Sequence, residues 1–159
     1  MKTKPIIYQL MPRLFTNMNS RCIPNGSITQ NGSGKMNDIT PTVLRSIKEL
    51  GVTAVWYTGI IEHAHTADYT RYGIPRHNPH IIKGKAGSPY AITDYYDVDP
   101  DIAEDVDKRI EEFEALIDRT HKCGMNVILD LVTHHVGLSY HSDNAPRRLE
   151  DHGKAAYPT

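Results

Sequence analysis

The sequence has few cysteines, no excess of basic charge and no long apolar run, and each absence excludes a class of protein. Two cysteines, Cys22 and Cys123, are too few for a disulfide framework, so both are expected to be free thiols. The formal net charge is −1, and the chain lacks the basic stripe of a phosphate-backbone binder. No run approaches the length of a membrane span, and residues 6–10 are interrupted too early for a signal peptide. We therefore expect a cytoplasmic protein with neither nucleic-acid nor membrane partners.

The length and composition predict a single folded domain. A chain of 159 residues is close to one ordinary domain, and 39% hydrophobic with 23% charged residues favours a packed core over disorder. Residues 6–10 form a short apolar run that predicts the first strand. Residues 16–37 are rich in Asn, Ser and Gly and predict a long polar loop.

The next segment carries clear signals of a helix followed directly by a strand. Thr40 is a suitable N-cap, Pro41 stands at the first helical position, and Gly51 follows the predicted end. Residues 52–57 then predict a strand, which implies a tight helix-to-strand connection. The residues at helical spacing that form the apolar face are Val43, Leu44, Ile47 and Leu50.

The middle of the chain is less regular. Residues 59–88 lose the periodic pattern and predict a histidine-rich polar loop. Residues 90–100 combine tyrosine with aspartate, which suits sugar rings, because their C–H faces stack on aromatic rings and their hydroxyls need acceptors. An ordinary tyrosine-bearing loop fits that composition equally well. A helix is predicted from about Asp105 to Gly124, with acidic residues at its start and basic residues at its end.

The chain is organised around residues 126–135, an apolar run that ends in two histidines. Such runs are typical of strands covered on both faces in parallel sheets. Asp130 interrupts the run, and a carboxylate inside such a strand is costly unless it is paired or hydrogen-bonded. The chain leaves the strand through His134, His135 and Gly137. If the strand belongs to an α/β barrel, this end is where its chemistry is expected.

Strands that alternate with helices predict an α/β fold with a parallel sheet and right-handed crossovers. The predicted order is strand, loop, helix, strand, loop, helix, strand and polar tail. Three strands and two helices are few for a self-sufficient α/β domain, since a sheet of this size leaves bare edges. We therefore expect the fold to be truncated.

Four segments in the right order resemble the α-amylase family of glycoside hydrolases. Residues 7–15 are similar to the first strand of the family, and residues 51–58 to its second-strand segment. Residues 90–100 resemble the tyrosine-containing segment that follows. Residues 130–135, Asp-Leu-Val-Thr-His-His, resemble the first signature of the family, Asp-x-x-x-Asn-His at the end of the third strand. The match of all four segments in this order is specific to the family, although a match of any one segment alone would not be specific.

The resemblance implies a TIM (β/α)8 barrel, a retaining mechanism and an α-glucan or maltooligosaccharide substrate. Tyr90 matches the tyrosine that stacks on the sugar in subsite −1, and His135 matches the histidine that hydrogen-bonds the hydroxyls of that sugar. Asp130 matches an aspartate that organises the active-site floor, and Asp94 and His134 match further supporting positions.

The resemblance also implies the domain organisation. Residues 1–137 would form the first three β/α units of the barrel, with long βα loops. Residues 138–159 would begin an excursion that is inserted after the third strand and is incomplete here.

Two positions depart from the family pattern. His134 stands where the family usually has an asparagine that often helps to bind calcium. Calcium prefers oxygen ligands and imidazole replaces them poorly, so we expect no metal at this position and no cofactor. Gly59 stands where a proline is common after the second strand, which implies a loop of different shape.

The catalytic carboxylates of the family have no counterpart in this chain. A retaining glycosidase needs two carboxyl groups about 5 Å apart, one as nucleophile and one as general acid/base. In the family they follow the fourth and fifth strands, and another essential aspartate follows the seventh, so all three would fall beyond Thr159. We therefore expect the N-terminal part of an enzyme, and no catalysis by this chain alone. Hydrolysis and transglycosylation use the same machinery, so the resemblance is compatible with either reaction.

Two alternatives belong to other functional classes. A non-catalytic remnant would at most bind α-glucan, through Tyr90 and Trp56 and the tyrosines near them. A histidine-rich metal protein is suggested by the nine histidines, with His63 and His65 two positions apart. No carboxylate or thiol accompanies this histidine pair in a recognised zinc spacing, which makes the metal protein the weakest of the three interpretations.

Overall fold

The structure, a computed structural model, describes residues 4–146, which alternate between strands and helices. The strands are β1 (Ile7–Leu10), β2 (Ala54–Tyr57), β3 (Ile61–His63), β4 (Ile92–Val98) and β5 (Asn126–Leu129). The α-helices are α1 (Pro12–Phe15), α2 (Ile28–Asn31), α3 (Pro41–Glu49) and α4 (Arg109–Lys122). Short 3-10 turns cover Met36–Asp38, Thr70–Tyr72, Pro79–Ile81, Pro100–Ile102 and Val106–Lys108. None of the helices in this range has the length and apolar character needed to cross a bilayer.

Strands β1, β2 and β5 form one parallel sheet in that order, which confirms the predicted parallel α/β arrangement. The register places Tyr8 beside Val55 and Val55 beside Val127. Helix α3 lies in the connection from β1 to β2, and α4 lies in the connection from β2 to β5. The C-terminal ends of the three strands therefore point to the same edge of the sheet.

Helix α3 matches its prediction because its signals are local. The Thr40 hydroxyl accepts a hydrogen bond from the Val43 N–H at 3.4 Å, and Pro41 opens the helix. Gly51, with φ of +83°, follows its end in the left-handed region that favours glycine. Leu50 does not belong to the apolar face as predicted: it lies at the C-cap, outside the last helical turn, and is 69% exposed.

The core lies where α3 and α4 pack on the parallel sheet. Leu44 of α3 and Leu116 of α4 are fully buried, together with Val55 and Tyr57 of β2. The Tyr57 hydroxyl is paired with the Thr120 hydroxyl at 2.7 Å, so the polar tip of this buried ring is satisfied. Helix α4 is preceded by the 3-10 turn Val106–Lys108, which agrees with a helix start near Asp105.

Strands β3 and β4 form a separate antiparallel pair that the sequence analysis missed. The sequence pattern predicts an irregular loop over residues 59–88 and no strand over residues 90–100. Strand β3 has only three residues, and its pairing is interrupted by register shifts on either side of Glu62. All three of its residues are buried although two are polar, so no apolar alternation marks it.

Three further predictions were wrong in detail. Strand β5 ends at Leu129, so Asp130 follows the strand instead of interrupting it. The strand is not covered on both faces: none of its four residues is fully buried, and Leu129 is 41% exposed. It also lies at an edge, because it pairs only with β2 among the described residues. The predicted loop 16–37 contains the short helix α2 and the beginning of a 3-10 turn.

Candidate functional site

The segment that follows β5 is held against β4 by backbone contacts. The Gly137 N–H donates to the Ile92 carbonyl at 2.7 Å, and the Tyr95 hydroxyl donates to the His135 carbonyl at 3.1 Å and to that of Val132. A Cβ at position 137 would lie 2.9 Å from the Ile92 carbonyl oxygen, so glycine permits this close approach. The histidine motif therefore has a defined position at the C-terminal edge of the parallel sheet.

Of the predicted sugar-binding and supporting residues, His134 and His135 lie in direct contact. Their ring centroids are 4.3 Å apart, and both side chains are exposed. Tyr90 is 45% exposed just before β4, and no aromatic pair among residues 4–146 includes it. Exposed rings at this edge are accessible to a ligand, but the described contacts do not join Tyr90 to His135. Their joint role in one sugar subsite stays a prediction.

The two predicted supporting carboxylates have different environments. Asp94 is fully buried and accepts hydrogen bonds from the Tyr96 N–H at 2.8 Å and the Asp143 N–H at 3.1 Å. The Asn144 N–H also faces Asp94, at 3.4 Å. Asp130 is half-buried, and its Oδ2 atom is buried with no hydrogen-bond partner among the described residues. Asp94 thus fastens residues 143–144 to β4.

A buried polar cluster beside β3 was not predicted. His63 Nδ1 lies 2.9 Å from Asp99 Oδ2, and Arg13 Nη2 lies 2.8 Å from His63 Nε2. Asp99 is fully buried, yet its pKa is lowered to about 2, because the attraction of His63 outweighs the burial that opposes ionisation. Both ring nitrogens of His63 are occupied by these partners. The alternative of a metal site made by His63 and His65 is therefore disfavoured.

His65 and His77 extend this cluster towards the segment after β5. Their ring centroids are 5.6 Å apart, and His77 Nδ1 lies 2.9 Å from the Ser139 hydroxyl. Neither ring nitrogen of His65, which is 1% exposed, has a partner among the described residues. Burial, reinforced by His65, lowers the pKa of His77 to about 4. The neutral form of His77 is thus the form that the folded protein favours.

We predict that His77 makes the protein less stable as the pH falls from about 6.5 to about 4. In that range an unfolded His77 binds a proton and the folded one does not, so acid favours unfolding. Urea unfolding at several pH values should show a shallower pH dependence for His77→Gln than for the natural protein. His80→Gln, at an exposed histidine nearby in sequence, is the control. Equal pH dependence in His77→Gln and the natural protein would contradict this assignment.

A second unpredicted cluster is acidic and joins β3, β4 and the segment after β5. Glu62, Asp97 and Asp143 each place a carboxylate oxygen within 4.8 Å of the others. Arg109 pairs with Asp97, through Nε to Oδ1 at 2.6 Å and through Nη2 to Oδ2. Burial, together with the nearby Asp97 and other carboxylates, raises the pKa of Glu62 to about 8, although a hydrogen bond from Thr93 opposes this shift. No local signal marks this cluster, because its members are far apart in the sequence.

A pocket of about 220 Å³ lies between the polar loop after α1 and the loops before β4. Arg13, Asn17, Ser27, Lys85 and Asp101 are among the residues that line it. None of the predicted sugar-binding residues lines this pocket. The pocket therefore adds no support to the sugar-binding assignment.

The parallel sheet of β1, β2 and β5, with helices α3 and α4 in its connections, places the described residues in the α/β class of folds. Comparison with known families is specific: the family described as "Alpha amylase, catalytic domain" matches residues 9–155. The chain belongs to the α-amylase family.

Named relatives agree with this membership. The chain is 28% identical over 137 residues to trehalose-6-phosphate hydrolase of Bacillus subtilis (strain 168), covering 86% of this chain and 18% of that protein. It is 30% identical over 145 residues to a probable alpha-glucosidase of Rhizobium meliloti (strain 1021), covering 91% of this chain and 19% of the relative. The chain thus spans about a fifth of the length of these curated relatives.

Solved structures show the same fold. An alpha-amylase from Lactobacillus plantarum superimposes with a TM-score of 0.58 at 27% identity, over 86% of this chain and 24% of that one. An alpha-amylase from Geobacillus thermoleovorans, complexed with acarbose, gives a TM-score of 0.57 at 29% identity and the same coverage. These matches support a TIM-barrel-derived fold for the described residues.

Proposed function

We propose that this chain is the N-terminal part of a retaining glycoside hydrolase of the α-amylase type that acts on α-glucans or maltooligosaccharides. The observation that carries the proposal is the family match over residues 9–155, whose third parallel strand leads directly into the Asp130 to His135 motif. In this proposal residues 1–137 supply the first three β/α units of the barrel, and residues 138–159 begin an inserted excursion.

The proposed roles follow from exposure and position. Tyr90 offers an exposed ring for stacking on a sugar, and His135 offers an exposed imidazole for hydrogen bonds to its hydroxyls. Asp130 and Asp94 support the site from buried or half-buried positions, and His134 contacts the His135 ring. A cytoplasmic location, and the absence of calcium at His134, stay predictions.

The catalytic carboxylates are proposed to lie outside this chain. Glu62, Asp97 and Asp143 are as close as a retaining pair requires, about 5 Å. However, Glu62 is 1% exposed and Asp97 is 3% exposed and bound to Arg109, so a sugar has no access to them. The nucleophile and the acid/base are therefore expected on later strands of a longer protein.

The intact mass of the natural product and its action on maltooligosaccharides test this proposal together. We expect a mass well above the 17.9 kDa of this chain, and NMR spectra in which the products first appear as the α-anomer. A mass of 17.9 kDa without turnover would contradict the proposal. The remnant alternative would then be tested by titrating maltooligosaccharides against Trp56 fluorescence.

A further inference from the structure

The histidine motif of residues 130–135 lies on backbone that belongs to no helix or strand. Strand β5 ends at Leu129, and residues 130–136 have no regular secondary structure. They lie outside the ladder that joins β5 to β2. A group that binds a reacting sugar must be held to within about 0.5 Å of its productive position. Contacts from outside the motif have to provide this precision.

Four consecutive residues of β4 contact the chain that follows β5. Ile92 and Thr93 use their carbonyl oxygens, which accept hydrogen bonds from the N–H groups of residues 137 and 141 at 2.7 Å and 2.9 Å. The Asp94 carboxylate accepts from the N–H groups of residues 143 and 144. These hydrogen bonds all lie beyond the motif. Of the four residues, Tyr95 is the one whose hydrogen bonds reach the motif itself.

The Tyr95 hydroxyl ties residues 132–135 to β4. It donates to the Val132 carbonyl and, at 3.1 Å, to the His135 carbonyl, so one proton is shared between two acceptors three residues apart. The Tyr95 ring packs against the buried cluster of Ile61, Ile92 and Val132, which fixes the place of the hydroxyl. The backbone of His135 is thereby tied to the core, although its imidazole is exposed.

We propose that Tyr95 is a positioning residue for His135: it holds the backbone of residues 132–135 in the conformation that presents the exposed imidazole to a sugar. The inference rests on the proposed function, in which His135 is the sugar contact. Side-chain rotamers depend on the backbone, so a change of backbone at residue 135 redirects its ring. Tyr95 does not need to touch the sugar, since its hydroxyl is committed to two carbonyls. No role in the site was predicted for Tyr95 from the sequence.

Tyr95→Phe tests this role, because it keeps the ring and its packing and removes only the hydroxyl. Hydrogen exchange of the natural full-length protein, measured by mass spectrometry on peptides that cover residues 130–137, reports how firmly the motif is held. We expect about tenfold faster exchange in Tyr95→Phe, since a hydrogen bond contributes roughly that factor to the local opening equilibrium. Tyr8→Phe, the same change at a half-buried tyrosine of β1, is the matched control and should leave this exchange unchanged.

Turnover of a maltooligosaccharide then shows whether Tyr95 acts through His135. Tyr95→Phe should lower kcat about tenfold, because a small misplacement of a positioned group costs up to about 100-fold. In a His135→Ala background the same change should lower kcat no further, since a residue that acts through another has no effect once that residue is gone. A residue that only stabilises the fold would lower kcat by the same factor in both backgrounds, together with the melting temperature.

The inference is overturned by exchange in Tyr95→Phe that is no faster than in Tyr8→Phe, by unchanged kcat in Tyr95→Phe, or by equal losses of kcat in the two backgrounds. The proposed function fails separately, if the natural protein itself does not turn over maltooligosaccharides. The exchange measurement does not depend on turnover, so it still decides whether Tyr95 holds the motif.

Discussion

Replacing Arg109 by methionine should lower the free energy of unfolding by about 3–5 kcal/mol, the usual cost of leaving one partner of a buried ion pair behind. The Arg109 side chain is 9% exposed and that of Asp97 is not exposed at all. Methionine fills most of the volume but leaves the Asp97 carboxylate without its cation, beside Glu62 and Asp143. Guanidinium unfolding of the natural and variant proteins at pH 7 measures the difference.

An exposed ion pair of the same helix provides the comparison. Lys122 pairs with Asp118 at 2.5 Å, but their side chains are 74% and 59% exposed. Water screens such a pair, so Lys122→Met should change the free energy of unfolding little. If Arg109→Met were as stable as Lys122→Met, the buried pair would contribute no more to stability than an exposed one, and the prediction would be wrong.

The elements that the sequence predicted well are those whose signals are local. Helix α3 has its N-cap at Thr40, its proline at position 41 and its glycine at position 51, all within one short segment. Helix α4 has an apolar face and a charge distribution that complements its dipole. Such features depend on neighbours in sequence, so they can be recognised without knowledge of the fold.

The features that were missed depend on partners far away in the chain. Strand β3 carries two polar side chains into the core, where Arg13 and Asp99 are partners of His63. Strand β5 has the composition of a central strand, but among residues 4–146 it pairs only with β2. Its own sequence cannot show how many neighbours it has, because strand order depends on residues elsewhere in the protein.

The residues of the candidate site also fall into two groups, those with a local sequence signal and those without one. Tyr90 and His135 were predicted from short segments that resemble family motifs, and their role in a sugar subsite stays a prediction. The acidic cluster was missed because each member has an ordinary local context: Glu62 lies in an apparently irregular stretch and Asp143 in the predicted polar tail. Only the close approach of β3, β4 and the final segment, with Asp94 holding residue 143, brings the carboxylates together.

Replacing His135 by alanine should lower the turnover of the proposed full-length enzyme by roughly 100-fold, the typical cost of removing one hydrogen-bond donor from a transition state. The ring is exposed, and its described contact is with the His134 ring, so its loss should leave the fold intact. The backbone contact with the Tyr95 hydroxyl uses the carbonyl of residue 135 and survives the substitution. Initial rates on a maltooligosaccharide, with circular dichroism as the check of folding, measure the effect.

His80→Ala is the control for this prediction, because it removes an exposed imidazole that has no proposed role. It should keep its turnover, whereas His135→Ala should lose turnover with an unchanged melting temperature. That combination separates a residue that touches the sugar from one that only supports the fold, since a structural defect would lower turnover and melting temperature together. Unchanged turnover in His135→Ala would remove this histidine from the sugar subsite, and the proposal would then rest on the family match and Tyr90 alone.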